Sequence, residues 1–326
     1  MADSSTNTIF LLLTTLIFTT SCTFYVNGCY TSIISFGDSL ADTGNMKALS
    51  PKSNGQAPHF LFPPYGETFF HKPTGRCSNG RLIIDFIAES LGLPLIPASE
   101  AGKTTELAQG VNYAVAGATA LDSSFHEARG VYNPMTNASL RVQLGWFKES
   151  LPSFCSTVSG NLPIGCSAAY LTIFYDSDKV QYDNSTGCII RLNRFAEYHN
   201  ELLQTELTQI REVHPEVNII YADYYNAAMQ FFRSPNKYGF TNGALKACCG
   251  GGGPFNYNPS IACADPSSNS CAQPDTYFNW DGLHLTEAAY RLVFKSLFEG
   301  SYTTPRFNSL CPISRSQPVG GLSSSI

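Results

Sequence analysis

The chain alternates between short apolar runs and longer segments in which apolar residues recur every three or four positions. Short runs rich in β-branched residues and bounded by Gly or Pro are typical of buried strands, and the longer spacing is typical of amphipathic helices. We therefore predict strands at 29–36, 110–118 and 217–221. The predicted helices are 78–91, beginning at Ser78 or Asn79, then 140–151, 189–213, a short segment from Asp223, and 285–298.

The longest predicted helix, 189–213, carries an apolar stripe. Helical spacing of this kind predicts that the stripe packs on the protein core. It consists of Leu192, Phe195, Leu202, Leu203, Leu207 and Ile210.

Alternating strands and helices predict an α/β sandwich with a mainly parallel sheet, whose ligand sites lie at the carboxyl ends of the strands. The 326 residues show no internal repeat and no obvious linker, so a single domain is expected. Between residues 118 and 216 the sequence offers only 171–175 and 157–160 as candidate strands. Such a sheet usually has about five or six strands, so one or two central strands are missing from the expected fold.

The N-terminus is typical of an export signal. Residues 9–18 form an apolar run of signal-peptide length that is too short to span a bilayer, so no transmembrane segment is predicted. Val26 and Gly28 have the spacing of a cleavage site, which gives a signal peptide at 1–28 and a mature domain at 29–326. The leading residues lack Lys and Arg and include Asp3, so a buried N-terminal helix is the alternative.

Cysteine usage supports export. Removing Cys22 with the signal leaves ten of the 11 cysteines, and they show no paired C-x-x-C zinc pattern. Ten cysteines, several of them in Gly/Pro/Asn-rich segments, predict disulfides in an oxidising compartment. Two N-x-S/T sequons, at Asn137 and Asn184, are candidate glycosylation sites there.

The charge of the chain argues against a nucleic-acid partner. The net charge is −5, and the sequence contains no Lys- or Arg-rich patch. A protein of this charge has no electrostatic footprint for a polyanion. The sequence does not define the oligomeric state.

Ser39 is the candidate nucleophile because it directly follows the first predicted strand, in the turn Gly37-Asp38-Ser39. A strand-to-helix turn exposes a hydroxyl and points backbone N–H groups at the oxyanion that forms on attack. A serine becomes nucleophilic only when a neighbouring base removes its proton. Since Gly-Asp-Ser is also an ordinary turn, the triplet needs such a base before it indicates catalysis.

Among the six histidines, His284 is distinguished by Asp281 three residues earlier, in a Gly-containing turn before a helix. At that spacing one carboxylate can accept from Nδ1 of the histidine while Nε2 faces a serine. An Asp-Gly turn with a helix-capping histidine is the structural alternative.

Taken together, these motifs resemble the plant branch of the GDSL (SGNH) esterase/lipase family over essentially the whole mature chain. The first block, 36–45, contains Ser39, and the last block, 281–286, contains Asp281 and His284. Residues 112–118 are similar to the second block, and 78–81 and 161–166 are typical of plant members. The resemblance implies a three-layer α/β/α sandwich, a Ser-Asp-His triad, and an oxyanion hole that includes the N–H groups of Ser39 and Gly117. It implies no metal and no cofactor.

One block of the family is missing. The third block, a strand ending in Gly-x-Asn-Asp, supplies an Asn side chain to the oxyanion hole, and this chain lacks that motif. Asn161 belongs to a different motif and is not assigned to the vacant role. We therefore expect an internal deletion near residues 156–160, as in an alternative transcript or a faulty gene model, and an impaired product.

The resulting functional hypothesis is a secreted serine esterase/lipase that acts on a small-molecule or lipid carboxylic ester. Two alternatives remain at the level of sequence. The same triad could pass the acyl group to an alcohol, as an acyltransferase does, or the chain could be a catalytically inactive secreted glycoprotein.

Overall fold

A computed structural model describes residues 30–50, 57–100, 102, 109–148, 157–175, 177, 179–213, 215 and 219–307. The predicted signal peptide at 1–28 lies outside these residues, as do residues 149–151 at the end of one predicted helix. Most of the segment in which a deletion is expected, residues 156–160, is described from Thr157 onward.

The described strands are two or three residues long and form three separate sheets. β1 (Ile33–Ser35) pairs in parallel with β2 (Gly110–Asn112). β3 (Thr157–Ser159) pairs in parallel with β4 (Ile220–Ala222), while β5 (Cys249–Gly250) and β6 (Asn269–Ser270) form an antiparallel pair. β7 (Thr303–Thr304) pairs antiparallel with β4.

The helices lie between these strands, which makes the chain an α/β protein, as predicted. No helix among the described residues is both long and apolar enough to cross a bilayer. The helices are α1 (Asn45–Leu49), α2 (Ile83–Ser90), α3 (Ser123–Glu127), α4 (Leu140–Lys148), α5 (Ala168–Ile173), α6 (Ile190–Val213), α7 (Tyr224–Arg233) and α8 (Glu287–Phe298).

Of the two candidate strands in the middle of the sequence, one forms and one does not. Residues 157–159 form β3, whereas residues 171–173, expected as part of a strand, belong to α5. α5 begins at the carboxyl end of a short 3-10 turn, Ile164–Cys166, whose Cys166 is cross-linked to Cys188. This compact connection leaves no room for an extended segment.

Helix α2 begins several residues later than predicted. The proposed capping residue Asn79 is engaged elsewhere, because its side-chain oxygen accepts from the N–H of Glu287 and its carbonyl accepts from the N–H of Thr68. The carboxylate of Asp85 instead accepts from the N–H of Leu82, at 2.9 Å, and thereby caps the start of the helix. Long-range bonds of this kind leave no signal in the local sequence.

Helix α6 has nearly the predicted length, but it buries only part of the predicted apolar stripe, since Leu207 is buried and Leu203 packs against it. Phe195 is 59% exposed and Leu202 is 49% exposed, whereas Asn193 and Asn200 are buried. The Oδ1 of Asn200 accepts from the N–H of Asn161, at 2.6 Å, and Asn193 likewise accepts from the N–H of the preceding loop. The helix therefore turns its asparagines inward because that loop needs hydrogen-bond partners.

Two apolar clusters hold the elements around the first and last blocks. The larger cluster packs α2, α7 and α8 together around rings that include Phe231, Phe278 and Phe294. The second contains Tyr65, Val115 and Trp280 among its members. The last block lies between the two clusters, because Leu285 belongs to the first and Trp280, just before the block, belongs to the second.

Within the described ranges three disulfides confirm the expectation of disulfides from the cysteine content. They join Cys166 to Cys188, Cys248 to Cys271 and Cys249 to Cys263. Cys77 is buried with a free thiol.

Candidate active site

Ser39 lies in the turn at the carboxyl end of β1. Gly37 has a φ of 139°, a conformation that other residues rarely adopt. Both polar groups of Gly37 are held by the buried side chain of Gln143, whose Oε1 accepts from the N–H and whose Nε2 donates to the carbonyl. The N–H of Leu40 donates to the carboxylate of Asp38 on the other side of Ser39. The serine is thus fixed from both sides.

A second tight turn carries the acid and the base. Gly282 adopts a φ of 97°, and the N–H of Trp280 donates to the carbonyl of His284, which closes the turn. Inside it, Oδ1 of Asp281 accepts from the N–H groups of Leu283 and His284, at 3.1 and 2.9 Å. Two backbone hydrogen bonds within the turn therefore hold the carboxylate of Asp281 in place, independently of its contacts with side chains.

The two turns meet although 245 positions separate them in the sequence. Nε2 of His284 lies 2.8 Å from Oγ of Ser39, and Nδ1 of His284 lies 2.7 Å from Oδ2 of Asp281. The imidazole is nearly buried, with 12% of the side chain exposed. This arrangement can move a proton from the serine to the histidine while the aspartate stabilises the resulting imidazolium.

The charges of the two residues support each other. Burial on its own would raise the pKa of Asp281, but the charge of His284 and its hydrogen bonds hold that pKa well below 3.8. Burial would likewise lower the pKa of His284, but the charge and hydrogen bond of Asp281 raise it above 6.5. At neutral pH the site therefore contains an ionised aspartate.

Gly117 follows β2 with a φ of 79°, and its carbonyl accepts from the side chain of Asn133 at 2.8 Å. A Cβ at this position would lie 2.6 Å from Cβ of Met135, so only glycine fits. Across the described part of the chain, the N–H groups of Ser39 and Gly117 donate to no protein acceptor. Both N–H groups follow the carboxyl ends of β1 and β2, which pair in parallel.

A protein-family model described as GDSL-like Lipase/Acylhydrolase matches the chain in two segments, residues 33–155 and 147–297. The chain belongs to this family. Membership of this family makes the chain a hydrolase that acts on ester bonds.

Several GDSL esterase/lipases of Arabidopsis thaliana are similar to this GDSL family member. One is 43% identical over 342 aligned positions, which cover 86% of this chain and 89% of the relative. A second is 44% identical over 345 positions, covering 86% and 88%. A third is 42% identical over 364 positions, covering 91% and 93%.

The first and second GDSL blocks are joined by a buried polar network to which sequence reasoning gave no role. The side chain of Asn45 donates to the carbonyls of Asn112 and Ala114, at 2.7 and 2.8 Å. Asp42 is fully buried, and its carboxylate accepts from the N–H groups of Gly44, Asn45, Met46 and Ala116. These bonds fix the turn that carries Ser39 relative to Gly117.

Tyr65 is a further residue that the sequence analysis did not single out. Its hydroxyl donates to Oδ2 of Asp281 at 2.7 Å, from a position 216 residues earlier. It lies in a loop that is rich in Pro, Gly and aromatic residues, a composition that does not single out any one side chain. Nothing in the local pattern connects this tyrosine to the last block.

Proposed function

We propose that the chain hydrolyses carboxylic esters by acyl transfer through Ser39, His284 and Asp281. The observation that carries this proposal is the continuous hydrogen-bonded path from the serine hydroxyl through the imidazole to a buried carboxylate. Family membership supports the same reaction class.

In the proposed mechanism neutral His284 accepts the proton of Ser39 at Nε2 while the serine oxygen attacks the ester carbonyl carbon. A tetrahedral intermediate forms, and it collapses when His284 gives that proton to the leaving alcohol. Water then attacks the acyl-serine with His284 again as base, which releases the acid and restores the hydroxyl. Asp281 stays ionised throughout and stabilises the imidazolium.

The oxyanion of that intermediate is assigned to the N–H groups of Ser39 and Gly117, which lack protein acceptors in the described residues. The family's Asn donor is absent from the sequence. Losing one such donor typically lowers turnover by about 10²–10³-fold. The proposed enzyme is therefore slower than a complete member of its family.

We further propose that the fold is the family's three-layer α/β/α sandwich with a central strand missing. An alignment of 342 positions that uses 86% of a 326-residue chain contains about 280 of its residues, so about 60 positions of the relative have no counterpart. The two matched family segments overlap at residues 147–155, and the β1–β2 and β3–β4 pairs lie in separate sheets. All three observations support an internal deletion before β3.

The substrate is proposed to carry an apolar group. A cavity of about 270 Å³ opens beside Ser39 and His284. Apolar walls next to a nucleophile favour the acyl or alcohol chain of an ester over a highly charged substrate. The apolar side chains that line it include Leu40, Leu162, Pro163, Ile164, Phe232, Phe278, Leu283 and Leu285.

Secretion is proposed from the signal-like N-terminus, with support from the disulfides. The side chains of Asn137 and Asn184 are exposed, as glycan acceptors must be, so both sequons stay proposed glycosylation sites. Enzymatic deglycosylation of the exported protein followed by mass measurement tests each site.

A fluorophosphonate probe tests the proposed function directly, because it bonds covalently only to an activated serine. The wild-type chain should be labelled at Ser39, and Ser39→Ala should not. Absence of labelling in the folded wild type would refute the triad and favour the inactive glycoprotein. Product analysis with a competing alcohol then distinguishes hydrolysis, which yields the free acid, from transfer, which yields a new ester.

A further inference from the structure

The carboxylate of Asp281 accepts from four donor groups, and one of them comes from outside the triad and its turn. Oδ1 accepts from the backbone N–H groups of Leu283 and His284 within the turn, and Nδ1 of His284 lies 3.0 Å from it. Oδ2 accepts from Nδ1 of His284 and from the hydroxyl of Tyr65, each at 2.7 Å. Tyr65 thus shares with His284 the carboxylate oxygen that lies nearer to the base.

Tyr65 is itself held rigidly. Its side chain is 1% exposed, and its ring packs edge-to-face against Trp280, with 5.7 Å between centroids. Phe60 packs against it in the same manner at 6.5 Å. Because the ring cannot rotate away, the hydroxyl is presented to Asp281 in a fixed direction.

The hydroxyl of Tyr65 is a donor throughout the working pH range. Burial and the neighbouring charge of Asp281 raise the pKa of Tyr65 well above 10. The other groups that act electrostatically on Asp281 or His284 are Asp38, His59, Cys77, Tyr257 and Tyr290. Among the groups of the described residues that face Asp281 from outside its turn, Tyr65 alone donates a hydrogen bond to the carboxylate.

We propose that Tyr65 is a positioning residue of the site: it fixes the carboxylate of Asp281 and takes up part of its negative charge, so that His284 faces Ser39 as a moderate base. This inference rests on the proposed function for its catalytic meaning. Its structural content, the coupling of Tyr65 to His284 through Asp281, can be measured without turnover.

The test is the Tyr65→Phe variant, which keeps the ring and removes only the hydroxyl. Without that donor the carboxylate is more basic and retains a proton on the imidazole more strongly. The pKa of His284, measured by NMR with labelled histidine and assigned with a His284→Gln variant, should rise by about half a unit. Tyr238→Phe is the matched control, since it removes a hydroxyl that donates to Gln230 rather than to the triad.

The rate of fluorophosphonate labelling supplies a second readout. At a pH where His284 is neutral in both chains, Tyr65→Phe should be labelled about tenfold more slowly than the wild type, because the carboxylate that orients the imidazole has lost a hydrogen bond. In an Asp281→Ala background the same substitution should have no further effect, because its target is gone. An unlabelled wild type would refute the proposed function, whereas the NMR titration would still decide the role of Tyr65.

Two results would overturn the inference. One is a Tyr65→Phe chain that melts at a lower temperature but keeps the wild-type pKa of His284, as a purely structural residue would. The other is an equal loss of labelling rate with and without Asp281. If Tyr65→Phe does not fold, the wild-type chain supplies the test. The hydroxyl proton of Tyr65 should give a slowly exchanging, downfield NMR signal that shifts in the Asp281→Asn variant. Absence of that signal counts against the proposal.

Discussion

The two sides of the proposed active site are built very differently. On the base side, Trp280 is fully buried and Asp281 is 8% exposed, with disulfides and aromatic rings behind them. On the oxyanion side, the segment beyond Gly117 leaves Tyr132 75% exposed and Met135 45% exposed. The proposed proton transfer therefore takes place on a firmly packed frame, whereas on the proposed oxyanion side the chain that follows Gly117 is thinly covered.

The difference bears on which part of the proposed chemistry depends on the proposed deletion. The proposed triad takes its residues from the first and last blocks, and Gln143, from the middle of the chain, holds the turn that carries Ser39. An oxyanion hole needs donors aimed from several strand ends, so it is sensitive to the loss of a single strand. A hydrolase can thus retain an activated nucleophile and still turn over slowly.

The largest expected effect comes from restoring the oxyanion side. Insertion of the roughly 60 positions of a relative that lack a counterpart here, with their Asn donor, should raise turnover of a simple ester by about 10²–10³-fold, or 2.7–4 kcal/mol. Steady-state hydrolysis by the two purified chains measures this gain. Turnover by the original chain equal to that of the restored one would remove the contrast between the two sides.

Removing a disulfide from the packed frame behind Asp281 should have an effect of nearly the same size, but on the free energy of unfolding. The N–H of Cys249 donates to the carbonyl of Trp280 at 2.7 Å, so the Cys249–Cys263 disulfide supports the turn that holds Asp281. Removing a cross-link over 14 positions with Cys249→Ala/Cys263→Ala should lower the free energy of unfolding by about 3 kcal/mol. Urea unfolding of the double variant measures the loss, and an unchanged midpoint would contradict the packed frame described here.

Gly117→Ala strains the oxyanion side in two ways, through its φ of 79° and through the close approach to Met135. We expect a loss of about 2 kcal/mol in the free energy of unfolding, together with slower turnover. Gly130→Ala is the matched control, because Gly130 has a φ of 72° but its Cβ would meet nothing within 4 Å. That variant should lose about 1 kcal/mol. Equal losses from the two variants would show that the contact with Met135 is unimportant.

The smallest expected effect is that of pH, and it tests the base side alone. The proposed mechanism requires neutral His284, whose pKa lies above 6.5, so the rate should fall about tenfold for each pH unit below that pKa, or about 1.4 kcal/mol. Folding should not weaken over the same range. The raised pKa of His284 stabilises the folded chain at low pH, and the depressed pKa of Asp281 costs stability only as the pH falls below 3.8. A pH–rate profile and thermal melts over the same pH range separate the hydrolysis rate from the folding stability. Parallel loss of rate and stability would argue against His284 as the base.

Features encoded in a short stretch of sequence could be predicted. The turn position of Ser39 and the Asp281–His284 spacing are local, and the structure brings these residues together as expected. The helix now seen at Ile190–Val213 followed from periodicity over many turns. Each of these depends on neighbours within a few positions.

Features that depend on distant partners could not be predicted. Gln143 holds Gly37 across 106 positions, and Tyr65 reaches Asp281 across 216. The inward-facing asparagines of α6 likewise accept hydrogen bonds from backbone N–H groups of a loop some 30 to 40 positions away. Hydrophobic periodicity records which side chains avoid water, but it does not record which polar groups satisfy one another in the folded chain.

The separation of Ser39 from His284 by 245 positions has a consequence for biosynthesis. The proposed nucleophile is made early, whereas the proposed base leaves the ribosome 245 residues later. A chain interrupted anywhere before residue 284 would carry Ser39 without the base assigned to it. Under the proposed mechanism, the capacity for hydrolysis therefore begins only after that residue has been made.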